Sequence, residues 1–268
     1  MDLDQLRVPA SGRFRLAEMD PDETFGLDKK TAKDEHAGLI ERLSELQSVM
    51  YAEQKHSLLI VLQAMDGGGK DGTIRSLLTG VNPQGVQVTS FKVPSAEELA
   101  HDYLWRIHKA TPPRGVIGLF NRSQYEDVLV VRVLGLVPKE VWRARYDQIN
   151  RFEQHLAENG TTILKFFLHI SKDEQKARFE ERLEDPEKRW KFAMGDLKVR
   201  EQWDDYMAAY EDALAKCSTG WAPWYVIPAN RNWLRNWLVA RIVVETLEGL
   251  DMQYPEPEEG LDQVVIPD

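Results

Sequence analysis

Cysteine is all but missing: Cys217 is the one thiol in 268 residues. No intrachain disulfide can form, and neither a zinc ribbon nor a CxxC redox motif exists, which suits a reducing cytoplasm. The chain also has no run of about eighteen apolar residues, and its opening, MDLDQLRVPASGRF, lacks an apolar h-region. Neither membrane spanning nor secretion is supported. The six histidines, His36, His56, His101, His108, His155 and His169, show no metal-ligand spacing. Nor is there an excess of positive charge. With 34 basic and 44 acidic residues the formal net charge is −10, against general binding to nucleic acid or an anionic membrane surface. An anionic substrate must therefore meet a locally basic groove. No repeat or low-complexity tract stands out.

Against that background one stretch carries chemistry. From Leu58 to Thr73 the chain reads LLIVLQAMDGGGKDGT, an apolar strand running into a glycine-rich loop with a single lysine. Gly67, Gly68 and Gly69 can turn tightly and aim backbone N–H groups inward, while Lys70 places a point charge at a helix N-terminus. Asp71, Gly72 and Thr73 extend the candidate phosphate cradle into that helix. The loop departs from G-x-x-x-x-G-K-[ST]: Ala64 replaces the first glycine and Asp71 the magnesium-binding hydroxyl. Thr73 or Asp66 must then substitute for that hydroxyl. The competing interpretation is an ordinary glycine turn between strand and helix.

Strands are expected at 57–64, 86–91, 116–120, 162–170 and 224–227, with helical patterns between them. That alternation predicts an α/β fold with a five-stranded parallel sheet flanked by helices on both faces, of the P-loop kinase kind, in one domain spanning 1–268. The active site should lie at the carboxyl ends of the strands. The polar ends, 1–30 and 251–268, look like extended arms; docking on the body, docking on a neighbouring subunit and disorder all fit. The charged stretch 171–217 is far longer than a crossover needs and is expected to be a helical lid. In it Arg178 and Arg182 share a helix face at i, i+4, a pattern equally natural for a solvated helix with paired charges.

A second constellation follows the third strand. Arg122, Glu126 and Asp127 crowd into six residues of FNRSQYED, where a helix cap or a solvated charge cluster would also fit. Paired with a phosphate loop on the same sheet edge, they offer the arginine clamp and carboxylates that phosphoryl transfer needs. Trp221, Trp224, Trp233 and Trp237 gather near the C-terminal strand and helix, where packing is the default and a subunit interface the alternative.

AMDGGGKDGT, FKVP, FNRSQYEDVLVVRV, LKFFLHISKDEQ and DPEKRWKF, in this order, resemble the family 2 polyphosphate kinases over roughly residues 35–250. The resemblance implies a P-loop kinase core with a helical lid and reversible, Mg²⁺-dependent phosphoryl transfer between inorganic polyphosphate and nucleotides, with Mn²⁺ as an alternative metal. It makes Asp66 and Lys70 the functional pair of the loop and Arg122 the phosphate clamp, with Glu126 and Asp127 as further catalytic candidates. Arg132 would join Lys70 and Arg122 in a polyphosphate groove, and Arg178, Arg182, Lys188 and Lys191 would close from the lid. Asp66 and Asp127 are the implied metal ligands, with Asn121 and Glu126 as alternatives. The diphosphate-specific branch usually has aspartate at the position of Asn121 and Asn-Arg at Glu126-Asp127. FNRSQYEDV instead resembles the third class, which phosphorylates both AMP and ADP, so AMP to ADP to ATP is the implied path, with GMP and GDP as further acceptors. The family also implies a homo-oligomer, dimer or tetramer. An ATP-dependent nucleotide kinase and a non-catalytic nucleotide or polyphosphate sensor are the rivals.

Overall fold

A computed structural model of the protein describes residues 1–11 and 13–267. Gly12 of the expected N-terminal arm and Asp268 of the expected tail lie outside the described residues. The elements alternate in the expected manner: α1 (Lys29–Glu53), β1 (Ser57–Gln63), α2 (Lys70–Leu78), β2 (Val86–Ser90), α3 (Ala96–Leu99), α4 (Trp105–Lys109), β3 (Ile117–Asn121), α5 (Val130–Val133), α6 (Lys139–Glu158), β4 (Thr161–His169), α7 (Lys172–Glu184), α8 (Met194–Glu201), α9 (Trp203–Cys217), β5 (Trp224–Pro228) and α10 (Asn232–Glu248). Each strand falls within one residue of its expected limits, because strands buried on both faces read as short continuous apolar runs. Every residue of β1 is buried, which requires cover on both sides of the sheet.

All five strands are parallel, in the order β2-β3-β1-β4-β5. The chain leaves β1 toward β2, beyond β3, whereas it leaves β3 toward β4 on the far side of β1. Strand order thus reverses between β1 and β3, and their carboxyl ends frame the crevice where α/β sheets bind ligands. One helical group packs α10 on α1 and α2; another packs α6 on β4 and α9. α1 begins at Asp28, whose carboxylate accepts from the amides of Lys30 and Thr31.

The stretch expected to be a lid divides in two. α9 is a core helix, with Trp203, Tyr206, Ala209, Tyr210, Ala213, Leu214 and Cys217 buried along one stripe. α7 is tied to the glycine loop: Gln175 Nε2 donates to Asp66 O at 2.7 Å, and Phe179 is buried against Gly67. Only the segment from Arg182 through α8, where no residue is fully buried, overhangs the crevice as a lid would.

The N-terminal arm docks on the body. Leu6, Val8 and Leu16 are buried, Val8 N donates to Trp224 O at 2.8 Å, and Arg7 bridges Tyr225 of β5 in antiparallel fashion. Farther along, Arg231 binds Asp22 at 2.8 Å. The tail differs, its side chains being exposed at 253–261 and 263–267. Of the four grouped tryptophans, Trp224 and Trp237 are core residues, and Trp237 donates its indole N–H to Glu35 at 2.9 Å; Trp221 is exposed.

Candidate active site

β1 delivers the glycine loop directly into α2. Gly69 precedes the helix at φ +94°, in the left-handed region where a side chain would be strained. Gly68 is a glycine for a different reason: a Cβ there would stand 2.5 Å from the Cβ of Ala64 and 2.9 Å from Met65 O. The unusual Ala64 is thus packed against the loop it opens. Lys70 lies partly buried at the first position of α2, and its Nζ donates to Ala64 O at 2.9 Å. Burial pushes the Lys70 ammonium below its ordinary pKa, with the carboxylate of Asp66 pulling the other way.

β3 supplies the opposite wall. Its last residue, Asn121, donates from Nδ2 to Asp71 Oδ1 at 3.0 Å. Arg122 follows in the left-handed region at φ +63°, an uncommon conformation for a residue with a side chain, its N–H bonded to Leu62 O. Its Nη2 meets Asp66 Oδ1 at 2.9 Å across the crevice. Burial alone would lower the Arg122 pKa, but Glu126 and Asp66 more than offset it and hold the guanidinium above its ordinary value. Glu126 lies within electrostatic reach of this pair, its pKa raised by burial against the pull of Arg122 and Lys70.

The structure therefore brings Asp66, Lys70, Arg122 and Glu126 together, with Asn121 and Asp71 at the same mouth. It does not bring in Asp127 or Arg132, which sequence reasoning had placed with them. The turn after β3 fans its side chains apart: Asp127 is paired with Arg145 at 2.9 Å and lines a separate hollow with Tyr103 and Arg106. Burial raises its pKa, with Arg145 opposing. Arg132 on α5 binds Asp212 of α9 at 2.6 Å and lies over the Trp142 ring, so it serves the packing of α5 on α9 and α6 and not the groove. Thr73 is buried and its hydroxyl donates to Gly69 O at 3.2 Å inside the helix, whereas Asp66 lines the crevice.

The crevice has a volume of about 840 Å³, and Arg178, Arg182, Lys188 and Lys191 line it together with the loop, Asp71, Asn121 and Arg122. Arg178 already has four of its five donors engaged, by Glu174 at 2.7 Å, Gly67 O at 2.9 Å, Ala229 O at 2.7 Å and Asn230 O at 3.0 Å, so it fastens α7 to the loop. Lys188 is paired with Glu181 and Asp185, and Arg182 lies over the Phe179 ring. Asp196 of α8 also faces the crevice, its pKa raised by burial and by Asp66. Sequence reasoning missed Arg235, a buried arginine of α10 on the crevice wall. A Cβ on Gly69 would fall 1.9 Å from its Nη1. Its signal was faint: an arginine among the apolar residues of a C-terminal helix.

Comparison with known proteins agrees with this geometry. A family model described as polyphosphate kinase 2 matches residues 26–255. The AMP/ADP-polyphosphate phosphotransferase of Meiothermus ruber is 60% identical over 97% of this chain and 98% of its own length. An ADP-polyphosphate phosphotransferase of Rhodopseudomonas palustris is 52% identical over 81% of this chain and 79% of its own. Among solved structures, polyphosphate kinase 2 from Arthrobacter aurescens superposes with a TM-score of 0.94 at 45% identity, covering 97% of this chain and 93% of that one. With the phosphate loop, the parallel sheet and the arginine-bearing turn after β3 in place, this chain belongs to the polyphosphate kinase 2 family.

Proposed function

We propose that the protein transfers phosphoryl groups from inorganic polyphosphate to AMP and ADP, forming ADP and ATP, by a reversible reaction that uses Mg²⁺. The observation that carries this reading is the concentration of cationic side chains around one crevice in a protein whose formal net charge is −10. Acceptance of both AMP and ADP is supported by the name of the Meiothermus ruber relative and by Glu126, a carboxylate whose charge is felt by Arg122 and Lys70.

In the transfer, an oxygen of the acceptor's terminal phosphate forms a bond to the end phosphorus of the polyphosphate. The anhydride bond to the next phosphate breaks, and the shortened polyphosphate leaves with its electron pair. Neither reactant needs activation by a protein base, so positioning and charge neutralisation dominate. The loop amides, Lys70 and Arg122 hold and neutralise the phosphates, while Asp66 orients Arg122. No group of three or more His, Cys, Asp or Glu among the described residues forms a cage for a metal ion. The carboxylate of Asp66 on the crevice fits Mg²⁺, which is commonly held by one or two carboxylates plus substrate phosphates. Asp66, on the crevice beside Lys70, is the residue that would hold it, and the metal when bound would neutralise charge between donor and acceptor phosphates. No helix of the described residues is long and apolar enough to cross a membrane.

Phosphorus NMR tests the reading directly. Purified protein with Mg²⁺, AMP and polyphosphate should convert AMP through ADP to ATP while the internal polyphosphate signal falls. Conversion of ADP alone would remove AMP from the acceptors. Transfer from ATP but not from polyphosphate would replace the reading with that of an ATP-dependent nucleotide kinase.

A further inference from the structure

Arg235 is a buried cation without a counter-ion. Its side chain is 2% exposed. Its donors go to amide oxygens: Nη1 to Asn232 Oδ1 at 2.7 Å, and Nη2 and Nε to Asn236 Oδ1 at 2.9 and 3.2 Å. No carboxylate among the described residues pairs with it, and the charge acting on it is a second cation, Arg178. Burial, then Arg178, push its pKa down to about 9, and the guanidinium still carries its charge at neutral pH. A charge taken out of water is ordinarily paired, because an unpaired one costs several kcal/mol, on the order of the loss seen when one partner of a buried pair is removed. Arg178, by contrast, has Glu174. The charge of Arg235 thus has no compensating anion among the described residues.

Position identifies the anion. The guanidinium lies against the first turn of α2: Nη1 fills the place a Cβ on Gly69 would take, and Nη2 stands 3.2 Å from where a Cβ on Gly72 would be. Both glycines belong to the phosphate loop, and Arg235 lines the crevice with them. A helix N-terminus already favours an anion through its free amides and dipole, and here a fixed guanidinium is added to it. We propose that Arg235 is a phosphate-binding residue, donating to a phosphoryl group seated at the N-terminus of α2 beside Lys70. The inference rests on the phosphotransferase reading above and names a contact made by the body of the protein. Arg182, Lys188 and Lys191 lie on the overhanging segment, whereas Arg235 stands on a core helix and needs no closure to meet its ligand. It also gives the third glycine of the loop a second reason to be glycine, since any side chain there would occupy the place of the guanidinium.

The phosphoryl group can belong to polyphosphate or to the nucleotide, and binding to each separates the two. Tripolyphosphate and AMP are titrated separately, each with Mg²⁺ at fixed salt, into the wild type, Arg235→Lys and Arg235→Gln, after circular dichroism and denaturation have shown the variants folded. A charge-assisted contact of this kind is worth about tenfold or more in affinity. Both variants should lose that much for one ligand, the glutamine variant more than the lysine variant. KM for the same substrate should rise while KM for the other holds. The ligand affected names the source. Should neither variant fold, the wild type still decides: the Arg235 side-chain N–H resonance must shift when tripolyphosphate or AMP is added. Unchanged affinities in folded variants, or an unmoved resonance in a wild type that binds, would overturn the assignment of Arg235 alone. A wild type binding neither ligand would sink the phosphotransferase reading and this contact with it.

Discussion

Asp66–Arg122 and Glu153–Lys165 are both carboxylate–cation pairs built around one sheet, and they differ in what is left over. Lys165, on β4, is completely buried and gives its three ammonium protons to Glu153, Tyr125 Oη and Cys217 O. Glu153 also accepts from Tyr125 and Gln124, and its pKa is raised by burial against the pull of Lys165. No ammonium proton of Lys165 is left over in that network, and both charged side chains are sealed from solvent. Arg122 spends one side-chain donor on Asp66, with 40% of its side chain exposed and 22% of the carboxylate's. The same two charge types thus make a sealed strut in one place and a site with free valence in the other. Unused hydrogen-bonding capacity beside a crevice, more than the presence of a pair, separates function from framework.

The largest effect should come from breaking the strut. Lys165→Met leaves Glu153 buried without its cation and should cost about 3–5 kcal/mol in denaturant unfolding, with turnover per folded molecule near wild type. Lys70→Ala should do the reverse. Turnover should fall on the order of 10²-fold or more, as when a fixed donor to developing charge is removed, while the unfolding midpoint stays close to wild type. If either variant lost both properties together, the distinction between strut and site would collapse.

A third group, the half-buried His169, sharpens the comparison because it forms no ion pair among the described residues, with Asp20 acting on it only weakly. Burial drives the His169 pKa from 6.5 to about 4. Because the folded value lies below the unfolded one, the unfolded chain takes up the proton first. Stability is therefore full above about pH 6.5 and falls as pH drops toward 4. Between pH 7 and 5 the loss should be about 2 kcal/mol, and His169→Gln should flatten that slope in unfolding titrations. Smallest of all is the exposed Arg42–Glu248 pair joining α1 to α10 at 2.8 Å. Arg42→Ala should leave the melting temperature unchanged within measurement, since water already solvates both charges.

The sheet and the phosphate loop were legible because their signals are local. A buried parallel strand is a short apolar run, and a phosphate loop is a run of glycines with a lysine. The carboxylates after β3 were legible only as a group. Glu126 and Asp127 are neighbours, yet one acts on Arg122 and Lys70 and the other pairs with Arg145, a difference of side-chain direction that spacing cannot carry. Charge misled the reading of 171–217: acidic and basic residues obscured the stripe Trp203, Tyr206, Tyr210, Ala213, Leu214 and Cys217, whose three- and four-residue steps mark a packed helix. Arg235 was hidden by distance along the chain, since α10 meets α2 in space although some 150 residues separate them in sequence.

One consequence of the docked N-terminal arm concerns association. β5 ends the sheet on one side, and such a strand is a template for pairing with another molecule. Arg7 and Val8 occupy that position from within the same chain, while β2, at the other margin, is exposed at Gln87, Val88 and Ser90. The molecule therefore covers one margin of its sheet with its own leading segment, and clipping the first eight residues would uncover the β5 edge as a surface open to pairing.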